Sequence, residues 1–227
     1  MIHSTFDVRA VLFDLDGTFA DTASDLAYAL NRMRTSRGLH PVAVDVTRPV
    51  TSMGARGLLG VGFDVLPGHA DYAAMREEFL QIYADNLCRE TRMFPGMLEL
   101  IDALEARALR WGIVTNKAER FARPLLDQLQ VGKRAACIVG GDTTPHLKPH
   151  PAPLFAACVA IALAPSECVY VGDDRRDVEA GRAAGMRTVA VRYGYLNGGD
   201  PDSWGADAVI DTPQELLRHL EGPSTSA

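Results

Sequence analysis

The stretch VLFDLDGTFADT (Val11–Thr22) runs from an apolar segment directly into three aspartates, Asp14, Asp16 and Asp21, within eight residues. Its approach, VRAVLF (8–13), is apolar apart from Arg9, continuously so from Ala10, and includes the β-branched Val8 and Val11. That pattern suits a strand buried on both faces, as in a parallel sheet covered by helices. Side chains alternate along a strand, so Asp14 and Asp16, two apart, project to one side if the extension persists. Two unit charges ~4 Å apart repel by about 4 kcal/mol at an effective dielectric near 20, so such a cluster calls for a cation.

Working outward, similar apolar runs recur at RWGIV (110–114), ACIVG (136–140), CVYVG (168–172) and RTVAV (187–191). Between them lie helical patterns over 97–109, 118–130, 153–163 and 177–185, the last closing on a glycine suited to a C-cap. Strands alternating with helices predict an α/β fold with a doubly wound, mainly parallel sheet. Residues 21–92 break the rhythm: they hold no convincing buried strand, only helical pieces such as ADYAAMREEFLQIYADNL, with Tyr72, Met75, Phe79, Ile82 and Tyr83 on one broad face. The expected organisation is a core of 1–20 and 93–221, a helical insertion over 21–92 re-entering the sheet near FPG (94–96), and a disordered tail over 222–227.

Polar residues follow each apolar run. Asp14 and Asp16 follow the first, Thr115 and Asn116 the second, and Asp173, Asp174 and Asp177 stand behind CVYVG; Lys148 lies in the Pro-bounded loop HLKPHPAP. In open α/β sheets the site lies beyond the carboxyl ends of the strands, so these groups are expected to share one crevice. Each alone has an ordinary reading. A single aspartate caps a helix, Thr-Asn makes a turn, and a lone lysine is a solvated surface group. The ordered conjunction carries the inference. Four or more carboxylates favour a hard, oxygen-preferring cation, and magnesium is the usual one when phosphate completes its shell.

With DLDGT (14–18), TN (115–116), the lysine of KPHP (148–151) and GDDRRD (172–177) in this order, the chain resembles the haloacid-dehalogenase superfamily of phosphatases over nearly its whole length. The resemblance implies a Rossmann-like core with residues 21–92 as the helical cap domain. It implies Asp14 as nucleophile, forming an aspartyl-phosphate, and Asp16 as general acid and then base, a double duty that calls for neighbouring negative charge. It further implies Thr115, the Asn116 backbone and Gly17 around the phosphoryl oxygens, and Lys148 offsetting charge. Magnesium would lie among Asp14, the Asp16 carbonyl and Asp173, with Asp177 holding Lys148 or a metal-bound water. Asp16 argues against a dehalogenase, whose leaving group needs no proton. Phe19, where Leu or Val is usual, is expected to affect packing only; Asp174, where Ser or Thr is common, adds negative charge near the metal.

Two finer resemblances stand side by side. IVGGDTTPHLKPHPAPLF and YGY (193–195) look like phosphoglycolate phosphatases; GAR (54–56), WGIVTNK (111–117), GDDRRD and WGAD (204–207) look like bacterial N-acetylmuramate 6-phosphate phosphatases. Both substrates carry a carboxylate, which Arg56 in SMGARG could grip bidentately, the glycines permitting close backbone approach; a solvated arginine is the plain alternative. A phosphosugar mutase would use the same core. A phospho-acceptor receiver domain fits poorly, because there the acidic pair and the acceptor lie on different strands and no insertion follows.

Composition bounds the partners. Lys and Arg total 23 against 29 Asp and Glu, a net charge of −6 with no basic run, so nucleic acid is not an expected partner. No segment has the apolar length of a membrane span. The amino terminus lacks signal-peptide order, and the four cysteines show no CxxC pair, which together predict a cytoplasmic protein with reduced thiols. A monomer or homodimer acting on a small phosphorylated metabolite is the resulting expectation.

Overall fold

The computed structural model describes residues 5–220. The chain begins with β1 (Ala10–Phe13), all four side chains buried, followed by the two-residue strand β2 (Ala20–Asp21). Four helices come next: α1 (Ala23–Ser36), α2 (Val44–Thr47), α3 (Ala55–Phe63) and α4 (Tyr72–Asp85). After β3 (Arg92–Met93) the chain alternates through α5 (Met97–Ala106), β4 (Arg110–Val114), α6 (Glu119–Gln128), β5 (Ile138–Val139), α7 (Ala152–Ile161), β6 (Cys168–Gly172), α8 (Arg175–Ala184), β7 (Arg187–Val191) and β8 (Ala208–Ile210). The main sheet has the order β5-β4-β1-β6-β7-β8, and each of its pairings is parallel.

Burial explains the unbroken apolar runs. Alternate residues of β1 feed two different cores. Val11 and Phe13 pack with Leu100 and Leu104 of α5 and Leu125 of α6, while Ala10 and Leu12 pack with Leu154 and Ile161 of α7. Neither face of the central strand meets water, so no polar alternation is tolerated. Phe19 joins the first core, stacked on Trp111 with ring centroids 5.4 Å apart, in keeping with its expected packing role.

The helices between β2 and β3 pack into a separate apolar cluster. Leu26, Leu30 and Met33 of α1 pack with Leu58 and Leu59 of α3 and Phe79 and Tyr83 of α4, and Phe121 of α6 joins them. The two chain crossings into this region are tied together. β2 pairs antiparallel with β3, and buried Asp25 accepts the backbone N–H groups of Glu90 and Thr91 and the Thr91 hydroxyl.

The elements differ from expectation mainly in length. The first strand starts at Ala10 rather than residue 8, and the run 136–140 contributes only Ile138–Val139 to the sheet. β8 and the β2–β3 ladder have no counterpart in the sequence reading, being too short for periodicity to show. Gly185 caps α8 in the left-handed conformation, φ +79°, as its position suggested. The tail over 222–227 lies outside the described residues. No described helix is long and apolar enough to cross a membrane.

Candidate active site

β1 delivers Asp14 to the carboxyl edge of the sheet, between β4 and β6. Lys148 reaches the same point from the loop before α7: its ammonium lies 2.9 Å from Asp14 Oδ1 and 2.8 Å from Asp177 Oδ1. It also donates to the Tyr170 hydroxyl at 2.7 Å and to the Val114 carbonyl at 3.2 Å. A lysine this buried, 4% exposed, would lose its charge to desolvation; Asp14 and Asp177 outweigh that and hold its pKa above the ordinary value. Asp14 Oδ1 further accepts the Leu15 N–H, which leaves Oδ2 as its open oxygen.

Asp173, fully buried, faces this pair. It accepts the Thr18 hydroxyl and the Tyr195 N–H, both at 2.8 Å, and no Lys or Arg among the described residues pairs with it. Burial first, then the charges of Asp14 and Asp177, push its carboxyl well above the usual range. Burial also raises Asp177, to about 6, against the pull of Lys148. Asp14, Asp173 and Asp177 bring one oxygen each within 4.8 Å of the others. An all-oxygen donor set around a carboxylate without a counter-ion fits a hard divalent cation. Gly17 makes room for Asp173 itself: at φ +87° it turns the chain so closely past that carboxylate that a Cβ there would lie 2.2 Å from Oδ2.

Asp16 departs from expectation. The extension ends at Phe13, and the Asp16 carboxylate turns away from the trio to Lys117, 2.8 Å from Oδ1 and 3.0 Å from Oδ2. Thr22 Oγ1 donates to it at 2.5 Å. The neighbouring negative charge anticipated for Asp16 is therefore corrected: its nearest partners are an ammonium and a hydroxyl. Lys117 lies 4.8 Å from the Tyr83 ring centroid, so it touches α4 of the insertion as well as the core. Burial works against its charge, but Asp16 and Tyr83 prevail and its pKa rises.

The remaining residues are placed as follows. Thr115, at the end of β4, is buried and accepts the Lys117 N–H on Oγ1 at 3.2 Å. The Asn116 side chain clamps the Lys148 backbone, accepting its N–H at 2.9 Å and donating to its carbonyl at 3.1 Å. Asp174 is the N-cap of α8 and pairs with Arg176 at 2.8 Å. Burial would raise its carboxyl, yet the Arg176 hydrogen bonds hold it below the ordinary value, so the charge expected near a metal is already balanced. Asp177 Oδ2 accepts the Asp174 N–H, leaving its other oxygen for Lys148. Arg56 does not reach the carboxylates in an ion pair; it lines a cavity of about 470 Å³ shared by Asp14, Asp16, Thr115 and Lys148 on one side and α3 and α4 on the other. The glycines of SMGARG divide their work: Gly54 adopts φ +58° with open space beside it, and Gly57 passes close to the Val50 carbonyl.

Sequence reasoning missed Lys117 and Tyr195. Tyr195 spans site and insertion: its N–H binds Asp173, and its hydroxyl accepts the N–H groups of Thr22 and Ala23 and donates to Asp21. Both residues sat inside quoted motifs, TNK and YGY, but their partners are distant in sequence.

Comparison with known proteins agrees with this geometry. The profile of the family described as haloacid dehalogenase-like hydrolase matches residues 11–191. An N-acetylmuramic acid 6-phosphate phosphatase of Pseudomonas putida is 43% identical, covering 94% of this chain and 96% of its own. A phosphoglycolate phosphatase of Xanthomonas campestris pv. campestris is 45% identical over 95% of this chain and 97% of its own. Among solved structures, one described as a predicted phosphoglycolate phosphatase from Haemophilus somnus superposes with a TM-score of 0.84 at 26% identity, covering 93% of this chain and 97% of its own. The chain belongs to the haloacid dehalogenase-like hydrolases.

Proposed function

We propose that this hydrolase is a magnesium-dependent phosphatase that cleaves a small phosphorylated metabolite through an aspartyl-phosphate, in the manner of the phosphoglycolate phosphatases it resembles. The observation that carries the reading is the Asp14 carboxylate. One oxygen is fixed by Lys148 and the Leu15 N–H, the other accepts no hydrogen bond from the described residues, and the residue lines the cavity. A carboxylate so positioned is a nucleophile oriented before the substrate arrives, which removes part of the entropic cost of attack.

In the first half-reaction the Asp14 Oδ2–phosphorus bond forms and the ester bond breaks, and Asp16 passes a proton to the leaving oxygen. In the second, water attacks phosphorus while Asp16 takes its proton, and inorganic phosphate leaves with Asp14 regenerated. Thr115 and the Asn116 backbone hold phosphoryl oxygens at the end of β4. Lys148 offsets the charge gathering on Asp14 and the phosphoryl group, and Asp177 keeps its ammonium in place. Asp14, Asp173 and the Asp16 main-chain carbonyl would hold magnesium, which supplies further neutralisation of phosphoryl charge. The insertion, 21–92, serves as a cap over the core of 1–20 and 93–221, its α3 and α4 closing the far wall of the cavity. The free thiols suit a reducing compartment, and we place the enzyme in the cytoplasm on that ground.

N-acetylmuramate 6-phosphate is a second reading. It is favoured by the cavity, whose volume falls in the range that encloses ligands larger than a two-carbon acid. Phosphate release from 2-phosphoglycolate and N-acetylmuramate 6-phosphate, each with magnesium, decides between them. Asp14→Asn is expected to lower kcat by at least about a thousandfold for either ester with the fold intact. Near-normal turnover by that variant would remove Asp14 from the mechanism.

A further inference from the structure

The arginines of this chain are mostly engaged. Arg37 holds Glu78, Arg48 holds Asp21, Arg134 holds Asp102 and Glu105, and Arg192 holds Asp202 and Asp211. Among the described residues, the guanidinium groups of Arg32, Arg56, Arg76 and Arg120 make no hydrogen bond or ion pair. Three of these four, Arg56, Arg76 and Arg120, line the one cavity that opens over Asp14.

Their places in the chain run against local chemistry. Arg56 and Arg120 are each the second residue of a helix, α3 and α6, where the macrodipole disfavours a cation. Arg76 interrupts the stripe Tyr72, Phe79, Leu80 and Tyr83, the face that α4 turns to the cavity. Positions that break a local rule without local compensation are where function is expected. The floor carboxylates have other cations as partners: Lys148 pairs with both Asp14 and Asp177, Lys117 with Asp16, and Arg176 with Asp174, and none pairs with these three arginines. The remaining lining carboxylate, Asp142, accepts the Glu119 N–H at 2.7 Å and pairs with no arginine. Arg120 is steadied by the Phe121 ring, 4.8 Å from its centroid.

We propose that Arg56, Arg76 and Arg120 form a second anion subsite that takes a carboxylate of the substrate, with Tyr72, Phe79 and Leu80 against the uncharged body between that carboxylate and the phosphate. This rests on the phosphatase reading and narrows it. The substrate is a phosphorylated sugar acid or a molecule of similar reach. In 2-phosphoglycolate a single carbon separates the ester oxygen from the carboxyl group, so its carboxylate stays beside the floor and the arginine wall is left unused. A sugar bearing its phosphate at one end and an acid at the other fills the cavity and meets guanidinium groups able to grip a carboxylate through two parallel hydrogen bonds.

The test compares N-acetylmuramate 6-phosphate with N-acetylglucosamine 6-phosphate, the same ring without the acid. The wild type is expected to prefer the acid in kcat/KM by roughly ten- to hundredfold, the scale of one charge-assisted pair. In Arg76→Met/Arg120→Met that preference is expected to fall to within about twofold, through KM, and Arg76→Lys/Arg120→Lys is expected to restore part of it. A preference near one in the wild type, or one that survives the double methionine change, overturns the subsite. Calorimetric titration of both ligands into Asp14→Asn protein separates this failure from that of the phosphatase reading. Tighter binding of the acid, lost in the methionine variant, upholds the subsite even where neither ester is turned over, and equal binding overturns it.

Discussion

Asp16 lies between Lys117 and the Thr22 hydroxyl rather than in the cluster of Asp14, Asp173 and Asp177, so its surroundings are tuned by a residue that the motif reading left without a role. If Asp16 serves the leaving oxygen, Asp16→Asn is expected to depress turnover of alkyl phosphates about a hundredfold more than that of an activated aryl phosphate. Equal losses would mean it is not the proton donor. Lys117→Met is expected to show the same leaving-group bias, smaller in size, because it removes the partner that orients Asp16 without removing Asp16. Asp14, Thr115 and Asp173 were legible because each stands directly behind an apolar run, and Lys148 because its loop is bounded by prolines. Lys117 was not, since its meaning comes from Asp16 and Tyr83, which only the folded chain brings beside it. Asp174 shows the opposite case. Its plain reading as a helix cap is the one the structure supports, and Asp174→Ala is expected to cost about 1 kcal/mol in denaturant unfolding.

At the level of elements, the site is a set of strand ends fixed by short local devices. β1 and β6 are neighbours, so Asp14 and Asp173 emerge side by side; the turn after β1 and the loop after β7 then close on Asp173 through Gly17 and Tyr195. The long buried strands could be read from their unbroken apolar runs. The β2–β3 ladder could not, because two residues carry no period, and yet it is where the insertion joins the core. Tyr195 reinforces that junction by accepting two N–H groups at the start of α1. Tyr195→Phe leaves the buried Thr22 N–H without its partner and the Ala23 N–H with only Asp21 Oδ1 at 3.3 Å, and is expected to cost roughly 1–3 kcal/mol in chemical unfolding. A change of under a few tenths would mean that water replaces the hydroxyl.

Across the whole molecule, the fold gathers acidic side chains from separate strands at one point. The sheet order was not written in the sequence, since parallel strands may be wound in several orders. It is the reversal at β1, with β4 on one side and β6 on the other, that makes a crevice of separate motifs. The effect of this crowding on Asp173 has a sign that can be measured. Asp173 has a folded-state pKa raised above its unfolded value, chiefly by burial, so the folded chain holds its proton more tightly than the unfolded chain does. Its contribution to stability is therefore full below the ordinary carboxylate range, near pH 4, and is lost as pH rises toward the folded value, by at most about 1.4 kcal/mol per pH unit. Asparagine carries no such proton. In the absence of divalent metal, the stability of Asp173→Asn relative to wild type is thus expected to climb with pH from about 4 upward. Magnesium favours the ionised carboxylate and is expected to cancel that climb, stabilising the wild type by about 2.7 kcal/mol at a hundredfold excess over its Kd while leaving the asparagine variant unmoved. Thermal unfolding of both proteins over this pH range, with magnesium and with chelator, reads all four curves. Parallel metal-free curves would show that Asp173 is not the strained acid, and equal shifts with magnesium would place the ion elsewhere.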